Sequence, residues 1–232
     1  MADTAKFIII FILSSLSSIF VSAQKGNSFA GVRFGLAFPM GEMASQDFDN
    51  GGYALLGKSF GAEAAWFVTP KIGFGVDFSS NSFGYDAVSY AADYLANTPE
   101  YKSLDLLSAP YKLTTYMGGV YYKVSICPKF YSTFKLMGGY FRTRTPDQFF
   151  GGDIYMIGKT YFWKTSSFDS KFTFLTGASF EYKLDKRVSF LLQADFTYSE
   201  ASFVFLTSGN TSYTNYLQMP VLRIQPGINI HF

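Results

Sequence analysis

Cysteine, histidine and charge are all scarce in this 232-residue chain. Cys127 is the only cysteine, so neither a disulfide framework nor a cysteine-based metal cluster is available. It also lies far from the N-terminal region, which removes anchoring through a lipid-modified N-terminal cysteine. His231 is the only histidine and stands one residue from the C-terminus. A single terminal histidine leaves no His-based metal site and no ready base for a serine nucleophile, and no pair of acidic residues stands out as a substitute. The expectation is therefore a protein that is not an enzyme and carries no cofactor. Charged residues make up 16% of the chain, the net charge is +2 and the pI about 8.4. No basic run or patch is present, so nucleic acid is not an implied partner. Phosphate loops are missing too. Gly73-Phe-Gly75 lies within a strand pattern, and Gly151-Gly152-Asp153 has no helix pattern after it to supply an anion-binding end.

Aromatic residues are abundant. They form 20% of the chain, with 27 Phe and 17 Tyr beside 21 Gly, a composition rich in strand formers and poor in helix-surface residues. A single β unit of this length is ordinary, because barrels and sandwiches commonly exceed 200 residues.

Residues 1–23 read as a secretory signal peptide. Lys6 precedes the apolar run from Phe7 to Leu13, a Ser-rich stretch follows, and small residues two apart, Val21-Ser22-Ala23, place cleavage after Ala23. The run falls well short of the ~20 apolar residues a bilayer-spanning helix needs. Residues 24–232 are then one domain, with no further long apolar segment.

That domain is written with a period of two. Ala30 to Phe38, Ser59 to Val68, Ile72 to Ser79, Phe130 to Arg142, Lys171 to Leu184, Val188 to Tyr198 and Leu217 to Phe232 each place apolar residues on one face and small or polar residues on the other. Tyr111 to Val124 is less clean: Leu113, Met117 and Tyr121 compete with Tyr116, Val120, Tyr122 and Val124, and a bulge at Gly118-Gly119 would switch the faces partway. These stretches predict eight strands. The connections alternate strictly between long and short, which in an antiparallel barrel puts every long loop at one end. The predicted fold is all-β: an eight-stranded antiparallel up-and-down transmembrane β-barrel.

Alternation alone does not say which face is inside. A soluble ligand-binding barrel would turn the apolar face inward. The polar face argues for the inverse, because it is crowded with glycine and carries few, balanced charges: Arg33, Lys135, Lys183 and Arg223 against Glu63, Asp77, Glu181 and Asp195. The apolar face holds almost no charge, as a lipid-facing band requires when a midplane charge costs about 2–4 kcal/mol. The expectation is a lumen plugged by ion pairs, in a monomer that is not a general pore.

The last strand is unusual in running apolar to the final residue, with Phe232, Ile230 and Ile228 on one face. It resembles the terminal strand of bacterial outer-membrane β-barrels. Together with Ala23-Gln24, the mature chain resembles the small outer-membrane β-barrel domain proteins of the PorT-like or OmpX-like sort, particularly those of Bacteroidota. That resemblance implies a location in the outer membrane, contact with outer-membrane lipid, and recognition of Phe232, Ile230 and Ile228 by the barrel-assembly machinery. It implies no specific activity.

Function is then expected in the long loops, which a rigid barrel presents to the outside. Ala87 to Ala96 has helical spacing, with Val88, Ala91, Ala92 and Leu95 on one side. Phe149, Phe150, Tyr155, Tyr161, Phe162 and Trp163 crowd another loop, either as a contact surface for an extracellular ligand or protein or as residues packed on each other or in the aromatic girdle. Asn210-Thr-Ser212 matches a glycosylation acceptor and reads here only as exposed loop. The functional expectation is a structural or surface-binding protein. The alternatives are a narrow conduit for a small apolar molecule, using Met, Phe and Leu near the outer mouth, and a component of a secretion or gliding assembly.

Overall fold

A computed structural model describes residues 28–206 and 212–232. The signal-peptide segment 1–23 and Asn210 lie outside the described residues. In chain order the strands are β1 Phe29–Pro39, β2 Ala54–Phe67, β3 Ile72–Tyr85, β4 Tyr101–Ser108, β5 Tyr111–Cys127, β6 Phe130–Arg144 and β7 Gln148–Ile154. They continue with β8 Gly158–Lys164, β9 Phe168–Lys183, β10 Val188–Tyr198, β11 Glu200–Leu206, β12 Ser212–Gln218 and β13 Val221–His231.

Eight of these close a barrel in the order β1-β13-β10-β9-β6-β5-β3-β2, every neighbouring pair antiparallel. The closing seam joins the two ends of the domain, with partners running from Phe29↔His231 to Pro39↔Val221. A sheet that returns onto itself leaves no unpaired edge, which is why the final strand is apolar and ordered to its end rather than frayed.

The period of two decides the faces. Along β10, Ser189, Leu191, Gln193, Asp195 and Thr197 are buried while Phe190, Leu192 and Phe196 are exposed. Phe34, Phe74 and Phe180 are 62%, 56% and 61% exposed, whereas Arg33 and Arg223 are 0% and 1% exposed. The barrel therefore wears its apolar face outside and hides its charges. The outer wall is not uniformly bulky: between Phe78 and Tyr116 the small residues Ala62, Ala64 and Gly118 leave a depression of about 600 Å3.

The ambiguous strand keeps one phase throughout. In β5 the pairing with β6 runs unshifted from Lys112↔Arg144 to Ser125↔Tyr131, and the irregularity falls between Ser125 and Cys127, not at Gly118-Gly119. Leu113, Met117 and Tyr121 are interior and Tyr116, Val120 and Tyr122 exterior. Both faces of β5 are apolar because its inner one joins hydrophobic clusters inside the barrel.

At one end the strands turn tightly, as at Thr69, whose hydroxyl accepts from the backbone N–H of Lys71 and Ile72. At the other end the long connections are themselves folded. A helix, α1 Ala87–Asn97, spans the stretch with helical spacing, capped by the Asp86 side chain accepting from the backbone N–H of Ser89. That hydrogen bond, placed at the helix start, holds the Asp86 carboxyl below its ordinary pKa. Strands β4, β7 and β8 form a separate three-stranded sheet in the order β4-β7-β8, and β11 pairs with β12. Their aromatic and β-branched content explains why these segments pair rather than remain irregular.

Candidate functional site

Three cations and three carboxylates meet in the middle of the barrel. Arg33 donates from Nη1 to Glu63 Oε2 at 2.5 Å and from Nη2 to Asp77 Oδ2 at 2.6 Å. Lys135 Nζ lies 2.7 Å from Asp77 Oδ2, 3.1 Å from Asp195 Oδ2 and 3.3 Å from Glu63 Oε2. Arg223 completes the set, 3.7 Å from Asp195 Oδ2 and hydrogen-bonded to the hydroxyls of Ser79 and Thr197. The groups come from six strands, β1, β2, β3, β6, β10 and β13, so the layer ties opposite walls together. All six residues are almost fully buried, and burial without such pairing would cost several kcal/mol per ion.

Glycine makes the room. A Cβ added at Gly61 would fall 2.8 Å from Arg33 Nη2, and one at Gly227 would fall 2.7 Å from Arg33 Cγ. The guanidinium is fixed by its two carboxylates and has nowhere to move, so an alanine at either position would push into the ionic layer.

The two remaining charges separate. Glu181 is buried toward the short-turn end, where it accepts from the side chain of Asn229 and lies 3.8 Å from Lys123 Nζ. Lys183 is half-buried and stands off from the ion pairs, its Nζ 4.6 Å from the centre of the Tyr131 ring. Lys123, 5.0 Å from the same ring, is the cation that sequence reasoning missed; it follows from extending the phase of Leu113, Met117 and Tyr121 by two residues. His231 is buried beside them, its Nε2 2.8 Å from Ser189 Oγ.

The interior is not polar throughout. Phe29, Phe67 and Tyr121 pack in one cluster with Met117, Met137 and Leu175. At the loop end Phe83, Leu113 and Phe141 pack with Phe203, Met219 and Val221. Ions thus lie in the middle with hydrophobic packing on either side.

Outside the barrel, the period of two splits the aromatic cluster of β7 and β8. Phe149↔Trp163 and Gly151↔Tyr161 share one face with Leu107 of β4, while Phe150↔Phe162 share the other with Gln148 and Lys164. Phe150 is buried, stacked on Phe162 with ring centres 4.3 Å apart and packed on Tyr90 and Tyr94 of α1. On the opposite face Phe149 packs on Tyr161 at 5.9 Å and on Trp163 at 5.4 Å; Tyr161 is exposed, and Leu107 and Trp163 are exposed around a groove of about 370 Å3. Tyr155 sits at the hairpin tip beside Met156 and Ile157, all exposed. The hairpin is fastened at its base by Asp147, which accepts from Arg144 Nη2 at 2.5 Å and from the backbone N–H of Ser166 at 2.8 Å. The backbone bond holds the Asp147 carboxyl below its ordinary pKa.

At the C-terminus Phe232, Ile230 and Ile228 are exposed on the outer wall, with Phe232 5.9 Å from the Trp66 ring. Among the described residues no group of three or more His, Cys, Asp or Glu side chains is arranged to hold a metal ion.

No family model matches the sequence, and no curated protein matches it. Solved structures do. Neisserial surface protein A aligns over 89% of this chain and 97% of its own at 12% identity, with a TM-score of 0.50. A major outer membrane protein of Thermus thermophilus aligns over 88% and 99% at 13% identity with a TM-score of 0.49. Ail of Yersinia pestis aligns over 90% and 100% at 12% identity with a TM-score of 0.46. The likeness to Neisserial surface protein A shows the fold: this chain is a closed eight-stranded antiparallel β-barrel of the outer-membrane type.

Proposed function

We propose that this protein is a monomeric barrel of the bacterial outer membrane, delivered through a cleaved signal peptide and inserted by the barrel-assembly machinery. In this reading it acts without catalysis, as a surface-binding or structural protein with a plugged lumen. The observation that carries it is the inversion of faces: an exposed apolar wall around buried, mutually paired ions. In water each Phe, Leu or Ile of that wall would forgo about 1.5–3 kcal/mol of burial, a deficit spread over eight strands that only a hydrocarbon surrounding removes. The outward face of the β4-β7-β8 sheet, with Phe149, Tyr161 and Trp163, is then the surface offered to an extracellular partner. Aromatic side chains supply large contact area at small entropic cost, which supports that role.

The plug is tested by planar-bilayer recording of the purified protein. The expected record is free of large, stable openings, because the ionic layer and the hydrophobic packing on either side occupy the bore. Reproducible size-selective conductance would contradict it.

A further inference from the structure

The folded connections enclose a second feature, distinct from the outward face of their sheet. Above the hydrophobic packing at the loop end lies a cavity of about 200 Å3. All the long connections converge on it: Phe48 from the first, Tyr90 from the second, Gln148 and Lys164 from the third, Phe205 and Asn215 from the fourth. Its volume equals about seven waters at ~30 Å3 each, below the ~300 Å3 of a drug-sized pocket, so an occupant must be small.

Lys164 gives the cavity its chemistry. Its ammonium lies 4.5 Å from the centre of the Phe205 ring, and among the described residues it forms no ion pair and no hydrogen bond. The carboxylate that also lines the cavity, Asp49, is exposed at the rim. Lys164 is half-buried, and burial pushes its pKa down, as expected for an ammonium that has lost part of its water without gaining an anion. An aromatic face offsets only part of that cost, so the site is incomplete as it stands. The ionic layer in the barrel shows the contrast: every cation there has a carboxylate within 4 Å.

Besides the Phe205 ring at the ammonium, other rings line the same cavity. Tyr85, Tyr90 and Phe205 border the cavity, and Tyr85 and Tyr90 hold each other with ring centres 5.8 Å apart. Tyr111 is fixed beneath by donating to the backbone carbonyl of Gly52 at 3.0 Å. A pre-formed aromatic wall with one unneutralised cation matches a planar or puckered ring bearing an acid.

We infer that this mouth cavity binds a small carboxylate carried on a six-membered ring, with the carboxylate neutralising Lys164 and the ring lying against the aromatic wall.

The test uses the folded, detergent-solubilised full barrel and calorimetric titration with four probes. Benzoate and glucuronate carry the anion on a flat or a saturated ring; benzamide and glucose are their neutral counterparts. The expected result is saturable one-to-one binding of at least one acid with a Kd below about 1 mM, and at least tenfold weaker binding of its neutral counterpart. Which acid wins identifies the ring as aromatic or sugar-like. Lys164→Met should weaken the acid at least tenfold and Lys164→Arg should retain it, with heat-modifiable gel migration unchanged in both. No saturable binding of either acid, equal binding of acid and neutral probe, or undiminished binding by the Met variant would overturn the inference. None of these outcomes depends on membrane location or on the outward aromatic face.

Discussion

Arg33→Met should destabilise the barrel by about 3–5 kcal/mol, the usual consequence of removing one member of a buried ion pair and stranding the other. Here Arg33 is shared by Glu63 and Asp77 and is itself 0% exposed, so its loss leaves both carboxylates to Lys135, which also serves Asp195. Arg33, Lys135 and Arg223 balance Glu63, Asp77 and Asp195. Losing one cation leaves an uncompensated negative charge in a site water does not reach. Methionine fills much of the volume between Gly61 and Gly227, so the effect reports charge rather than a cavity. Adding Glu63→Gln restores neutrality and should recover more than half of the loss. Urea unfolding of the refolded protein measures both variants. Should the single variant unfold within about 1 kcal/mol of the parent, the ions do not hold the walls together.

The second large effect lies on the other side of the same strand wall. Val76 is 61% exposed on the outer face, next in sequence to Asp77, which is 2% exposed. A tilted crossing takes about 9–11 residues, so counting along β3 from Ile72 puts Val76 near the middle of a hydrocarbon layer. Val76→Arg should therefore cost about 2–4 kcal/mol in lipid vesicles. The depression formed by Ala62, Ala64 and Gly118 gives the new side chain space, which removes steric crowding as an explanation. Val76→Leu is the control and should leave stability within about 0.5 kcal/mol. Unfolding titrations in vesicles read the difference, and an arginine variant as stable as the leucine control would place this face away from lipid.

How much of this could be read from the chain depends on which signal each feature rests on. Alternation is local, and it located the barrel strands and the sense of their faces at Phe34, Phe74 and Phe180. It failed where both faces are apolar. In β5 the inner face carries Leu113, Met117 and Tyr121, so no contrast between faces marked its phase, and Lys123 went unnoticed as the partner of Glu181. Lys183 shows the opposite error. It continues the inner phase of β9, but at the strand end it reaches the Tyr131 ring rather than another ion. The apolar members of the inner phase, Phe67, Phe141 and Leu175, were outvoted by their polar neighbours although they build the clusters beside the ionic layer.

The outer sheet was harder. Leu107↔Phe149 joins segments far apart in the chain, and no local pattern announces such pairing. Once the pairing is known, Gln148-Phe149-Phe150 reads plainly as in, out, in. From the sequence alone the two phenylalanines are indistinguishable, which is why the choice between contact surface and mutual packing stayed open for all six aromatics, and the structure divides them between two faces and a tip.

The central claim is that the side chains such as Phe180 look into hydrocarbon. Cys127 is exposed at a turn and can be replaced by serine, after which Phe180→Cys carries a single fluorescent label on the outer wall. In vesicles whose lipids bear brominated acyl chains, the label should be strongly quenched, while iodide added to the water should scarcely affect it. Efficient iodide quenching with no response to the brominated lipid would contradict the account.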